Sequence, residues 1–109
     1  MTAPHKLQWG ISTLGCHELN LEEIAALAQA HDVVAIEIRS LADRLDLPNY
    51  LDETYQDPQE VQAVLDAHQQ RVVALNSSFN LIKSGDAERE ELLAFVRWAL
   101  QMHQLLNVW

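Results

Sequence analysis

The sequence predicts an α/β fold built on a parallel sheet, and three observations carry that reading. Apolar alternation of period two gives way to an apolar stripe of period 3.6, and the exchange recurs along the chain. Two β-branched runs, "DVVAIEIRS" and "RVVALNSS", each follow such a stripe. Helix-start residues stand ahead of the stripes. Strands and helices in strict alternation build parallel sheets with right-handed crossovers.

Leu7 to Ser12 is the first strand, with Leu7, Trp9 and Ile11 on one side and Gln8, Gly10 and Ser12 on the other. Leu21, Ile24, Ala25, Leu27 and Ala28 then form a helical stripe running towards His31. Asn20 is placed to cap that helix, and Glu23 holds the capping-box position. Val33 to Arg39 is the second strand. The connection from Ser40 to Gln56 carries Pro48, Tyr50 and Tyr55, has room for a short helix, and exceeds ordinary connection lengths, which makes it a candidate functional loop.

Asp57, Pro58 and Glu60 mark the next helix start, with Val61, Val64 and Leu65 as its buried stripe. Arg71 to Asn76 is the third strand. Ser84, Gly85 and Asp86 open a last helix whose expected apolar face is Leu92, Leu93, Val96, Ala99, Leu100 and His103. Leu105 to Trp109 reads as the start of a fourth strand. Residues 1–109 are thus expected to form one domain of three βα units and the beginning of another strand.

Hydrophobic residues make up 49% of the chain and charged residues 21%, the balance of a globular protein. Sixteen acids against seven bases leave a formal charge of −9. The bases are scattered, so no surface suits a phosphate backbone, and no nucleic-acid partner is expected. No apolar run reaches bilayer length, so no membrane partner is expected either. Met1 to Leu7 lacks a secretory signal core, and the single Cys16 has no intrachain disulfide partner. Both fit a cytoplasmic protein.

The two sides of the strands differ. Leu7, Trp9 and Ile11, then Val34, Ile36 and Ile38, then Val73 and Leu75 are expected to meet the helices. The opposite sides carry Gln8, Gly10 and Ser12, then Ala35, Glu37 and Arg39, then Ala74, Asn76 and Ser78, growing polar towards each strand's C-terminal end. A doubly wound sheet would cover that face with helices and want it apolar. A barrel lumen with its site at the C-terminal mouth wants small residues below and polar groups above. The fold expected is therefore a parallel βαβαβαβ segment of a (β/α)8 barrel, about half of one.

"GISTLGCHELNLEEIAALA", "AIEIRSLADRLDLPNYLDETY", "RVVALNSSFNL" and "EREELLAFVRWA" resemble the N-terminal part of the sugar phosphate isomerase/epimerase family, the xylose-isomerase-like TIM barrels. The similarity covers nearly the whole chain and is most specific from Gly10 to Cys16 and from Glu37 to Tyr55. It implies an isomerase or epimerase acting on a sugar or sugar phosphate. A divalent metal (Mn, Mg, Co or Zn) would be held at the barrel mouth by ligands from later strands, with none expected in this segment. Leu105 to Trp109 would then be the fourth barrel strand, and the chain the first half of such a barrel, inactive alone. One departure stands out: the helix exits "AHDVV", "HQQRVV" and "MHQLLNV" lack glycine, so either Asp32 or a glutamine such as Gln70 takes the left-handed conformation or the helices end differently.

Five residues are candidates for substrate binding: Glu37, Arg39, His17, Asn76 and Ser78. Arg39 suits a phosphate or carboxylate while Glu37 orients a hydroxyl; equally, the two suit an ion pair filling the lumen. His17 beside Cys16 lacks the ligand spacing of a metal site and is read as substrate-facing or as ordinary surface. Asn76, Ser77 and Ser78 end the third strand, where they either bind sugar oxygens or satisfy backbone groups. Tyr50 and Tyr55 either stack on a sugar or anchor the loop. Unclosed sheet edges imply a homo-oligomer, and a non-catalytic half-barrel that homodimerises is the alternative function. An endonuclease of the same barrel superfamily would need a basic surface, which −9 argues against.

Overall fold

The computed structural model describes residues 8–77, 85–106 and 108. It is a mixed α/β structure. Strands β1 (Gly10–Ser12), β2 (Ala35–Ile38) and β3 (Arg71–Leu75) form a parallel sheet in the order β1-β2-β3. Helix α1 (Leu21–Ala30) connects the first pair, α2 (Leu47–Thr54) and α3 (Pro58–Ala67) the second, and α4 (Asp86–Leu106) follows β3.

Local chemistry explains the helix boundaries. The Asn20 side chain accepts from the Glu23 N–H at 2.8 Å while the Glu23 carboxylate accepts from the Asn20 N–H at 3.1 Å, completing the expected capping box. Asp57 accepts from the Gln59 N–H ahead of Pro58, which occupies a first-turn position where a missing N–H costs nothing. Asp32 and Gln69 take left-handed backbone angles, with φ of 57° and 56°. Around each, paired bonds close a Schellman motif: Asp32 N–H to Gln29 O with Val33 N–H to Ala28 O, and Gln69 N–H to Asp66 O with Gln70 N–H to Leu65 O. Asp32 acts as expected, whereas Gln69 rather than Gln70 turns the second exit. Gln70 is buried and its amide donates to Val33 O and His68 O, tying the N-terminal ends of β2 and β3 together.

The core lies on one side of the sheet. Ile36, Ile38 and Val72 are fully buried against Leu21 and Ile24 of α1, Leu47 and Leu51 of α2, Val61 and Leu65 of α3, and Met102 and Leu106 of α4. Each such side chain contributes about 1.5–3 kcal/mol by leaving water. The residues of the other face, Ser12, Ala35, Glu37, Arg39 and Ala74, stay half-buried and outside that core.

Three expectations need correction. Val72, not Val73, meets the helices. The β2–β3 register shifts between Ile36 and Glu37, so that Val72 and Leu75 pair with Ile36 and Ile38 while Val73 falls in the irregularity. Trp9 and Val34 are exposed, at 73% and 45%, because they precede the strands' paired region. Leu105 and Leu106 belong to α4, not to a fourth strand. No glycine or proline interrupts residues 86–106, and Met102 and Leu106, four apart, dock on one helix face. The Val108 N–H then folds back to His103 O at 3.1 Å. Asn107 and Trp109 lie outside the described residues.

The buried face of α4 also differs from the one expected. Met102 and Leu106 are buried, with Trp98 and Leu105 packed beside them, whereas Leu93, Val96 and Leu100 are exposed at 42%, 43% and 60% and His103 is exposed too. The helix carries two apolar stripes, and only the second docks.

Candidate functional site

Parallel strands bring their C-terminal ends to one edge of the sheet, and the polar residues gather there. Ser12, the last residue of β1, pairs in register with Glu37, which in turn pairs with Ala74 of β3. The three therefore share the face away from the helices. The Ser12 hydroxyl donates to Glu37 Oε1 at 3.0 Å. Its oxygen also accepts from the Leu14 N–H and so caps the 3-10 turn Thr13–Cys16.

Thr13 begins that turn fully buried. Its Oγ1 accepts from the backbone N–H of Arg39 at 2.9 Å and of Ser40 at 3.0 Å, while the Ser40 hydroxyl donates to Thr13 O at 3.3 Å. This knot binds the end of β1 to the end of β2 and fixes the backbone that carries Arg39. The Arg39 side chain makes no ion pair with Glu37 or any other described carboxylate, and its Nε is buried with no hydrogen-bond partner. The expected alternative of a Glu37–Arg39 ion pair is absent among the described residues.

His17 stands further out on the same edge. Its Nδ1 lies 2.6 Å from Asp43 Oδ1 and its Nε2 3.8 Å from Glu18, in a side chain 62% exposed. The hydrogen bond to Asp43 holds the imidazole pKa above its ordinary value, with the charges of Asp43 and Glu18 adding to the effect. Asp43 and Ala42 both have left-handed backbones, with φ of 63° and 51°, and donate their N–H groups to His17 O and Leu19 O. The turn after β1 and the loop after β2 are thus laced together.

The long loop is well anchored. Arg44 bonds Asp46 through two nitrogens at 2.9 and 2.6 Å, reaches Glu53, and lies 5.5 Å from the centre of the Tyr50 ring. Tyr50 and Tyr55 are each only 8% exposed, so they serve as packing anchors. The Tyr55 hydroxyl donates to Glu22 at 2.8 Å, and burial together with that bond pushes its pKa above the ordinary phenol range.

Asn76 follows β3, its N–H donating to Ile38 O at 2.8 Å and its side chain exposed. With Ser77 it lines a cleft of about 510 Å³ between β3 and α4 that also takes in Leu92, Val96 and Leu100. No described hydrogen bond joins Asn76 to Glu37 or Arg39. Ser78 lies outside the described residues.

The structure thus brings Glu37 and Arg39 to one face, sets His17 on its rim and Asn76 at its far strand. Ser12, Thr13 and Asp43 are the partners that sequence reasoning did not nominate. Only Ser12 carried a signal, through its position opposite Ile11 in the alternation. Among the described residues no group of three or more His, Cys, Asp or Glu side chains converges to hold an ion, so the divalent metal implied by the resemblance finds no ligand set among them. No described helix is long and apolar enough to cross a membrane. No family model matches the chain, and neither a curated protein nor a solved structure matches it.

Proposed function

We propose that the chain is the N-terminal part of a metal-dependent sugar or sugar-phosphate isomerase or epimerase of the TIM-barrel kind, working in the cytoplasm. It supplies substrate-binding groups, while the metal ligands come from strands beyond β3. The observation that carries this reading is the polar face turned away from the helical core. Ser12, Glu37 and Arg39 stand at the C-terminal ends of neighbouring parallel strands and, among the described residues, lie outside the buried core that the helices form. A three-strand order of β1-β2-β3 occurs in barrels and in half of a doubly wound sheet alike. The second would want that face apolar, and a hydroxyl, a carboxylate and a guanidinium on it favour a lumen.

Carboxylate and hydroxyl groups recognise sugar hydroxyls, and a guanidinium recognises a phosphate. Incubating the 109-residue chain with aldoses, ketoses and their phosphates, with manganese or magnesium added, is expected to yield binding without turnover. Sustained interconversion by this chain alone would contradict the division of labour.

A second reading, a non-catalytic module that homodimerises, has its own support. Among the described residues the outer edges of β1 and β3 have no strand partner, and Trp9 lies exposed beside the first while Val96 and Leu100 lie exposed beside the second. Light scattering tests it: a dimer that dissociates on Leu100→Glu supports self-association through this edge, and a monomer at high concentration removes it.

A further inference from the structure

We infer that the ligand of the open face is an anion whose phosphate or carboxylate group is clamped by Arg39, and that Thr13 is the positioning residue that aims the clamp. The inference rests on the open face being a binding wall, and it goes further in committing to a charged ligand over a neutral sugar.

Arginine stays protonated at any physiological pH and presents five N–H donors in a planar fork. A buried donor of such a cation wants an acceptor. Arg39 Nε is buried and has none, and no described carboxylate lies within ion-pairing reach. Glu37, the acid two residues earlier in β2, accepts at its Oε1 from the Ser12 hydroxyl. Arg39 as a whole is half-buried. A carboxylate or phosphate matches the fork with two parallel hydrogen bonds.

One further feature supports a built site. The Arg39 backbone is held by the fully buried Thr13 Oγ1, which takes the N–H of Arg39 and of Ser40 and leaves the chain little freedom at the clamp. A structural arginine would be expected to end on an acid. The chain carries a net charge of −9, so anions are repelled at long range, and any anion held here is held by local geometry.

The test uses the isotope-labelled 109-residue chain and the side-chain Nε–Hε resonance of Arg39, titrated with inorganic phosphate and separately with acetate, at constant ionic strength made up with chloride. Expected is a saturable shift with a midpoint of about 1–10 mM for at least one anion. Preference for phosphate marks a phosphorylated ligand, and preference for acetate marks a carboxylate ligand; either supports the clamp. Arg39→Gln, followed on the Ser40 amide, should weaken binding at least about tenfold, a loss of about 1.4 kcal/mol. Thr13→Ser should keep the midpoint, and Thr13→Ala should raise it several-fold while the circular dichroism stays native. If Thr13→Ala does not fold, the Arg39→Gln comparison decides the clamp alone.

A linear shift that chloride reproduces means an adventitious ion only and overturns the inference, as does an unchanged midpoint in Arg39→Gln. A neutral ketose that shifts the Ser12 and Glu37 amides, with no anion effect at Arg39, overturns the clamp and leaves the sugar reading standing. Anion binding at Arg39 with no gain in affinity for a ketose phosphate over inorganic phosphate keeps the clamp and removes the sugar reading.

Discussion

Ser12 and Glu37 face each other in register across the β1–β2 pair, and the hydroxyl of the first donates to the carboxylate of the second at 3.0 Å. The bond fixes one carboxylate oxygen on the open face, and the other takes no described hydrogen bond. Hydrogen bonds to charged groups contribute about 1.5–3 kcal/mol, and partial exposure brings this one to about 1 kcal/mol. Ser12→Ala should lower unfolding free energy by that amount in urea titrations. A double-mutant cycle with Glu37→Ala should return a coupling of about 0.5–1 kcal/mol. A coupling of zero would mean the pair does not form in solution.

Thr13 serves a different purpose, since its oxygen satisfies two backbone donors at once. Replacing it with the isosteric Val leaves both N–H groups without their acceptor in a buried place, a loss of about 2–3 kcal/mol. Thr13→Ser keeps the hydroxyl and should cost about 1 kcal/mol or less, mainly the missing methyl. Denaturant midpoints of the two variants are predicted to differ widely, and equal midpoints would show that the knot does not hold β1 to β2.

The helix exits offer a stabilising test. Asp32 and Gln69 hold φ values near 57° that cost a residue with a Cβ about 1 kcal/mol, and both positions already make Schellman bonds that a glycine would keep. Asp32→Gly and Gln69→Gly should each raise stability by about 0.5–1 kcal/mol after the greater freedom of glycine in the unfolded chain is counted. A decrease for both would contradict the described backbone.

How much was legible in the sequence divides along the same lines. The capping box at Asn20 and Glu23, the Asp57–Pro58 start and the β-branched run of β2 are local signals, and each produced its element. The register shift beside Glu37 is a property of two strands meeting, so no alternation within "RVVAL" could reveal that Val72 rather than Val73 faces the helices. Helix α4 carries apolar residues on two stripes, and a helical wheel cannot say which one the sheet accepts. Leu105 and Leu106 suit strand and helix alike, and packing beside Met102 decided for the helix. In the site, the face shared by Glu37 and Arg39 was legible from period two. Thr13 and Asp43, which act across 26 residues of separation, were not.

His17 gives a pH-dependent prediction. Its hydrogen bond to Asp43 raises its pKa in the folded chain above the 6.5 of a free imidazole. The stabilisation from that bond is therefore fully present below pH 6.5 and is lost as pH rises through the folded pKa. Imidazole proton shifts followed by NMR should place the His17 midpoint above 6.5, and Asp43→Asn should move it down. An unchanged midpoint in Asp43→Asn would show that the turn after β1 and the loop after β2 are not joined there.

The central claim is that the polar face of the sheet, turned away from the described helical core, is a ligand wall, and amide chemical-shift mapping with a ketose phosphate tests it most directly. Saturable shifts are predicted at Ser12, Glu37, Arg39 and Ala74, with Leu21, Val61 and Met102 in the core unmoved. Shifts confined to the helices, or none at these strand ends at saturating ligand, would contradict it.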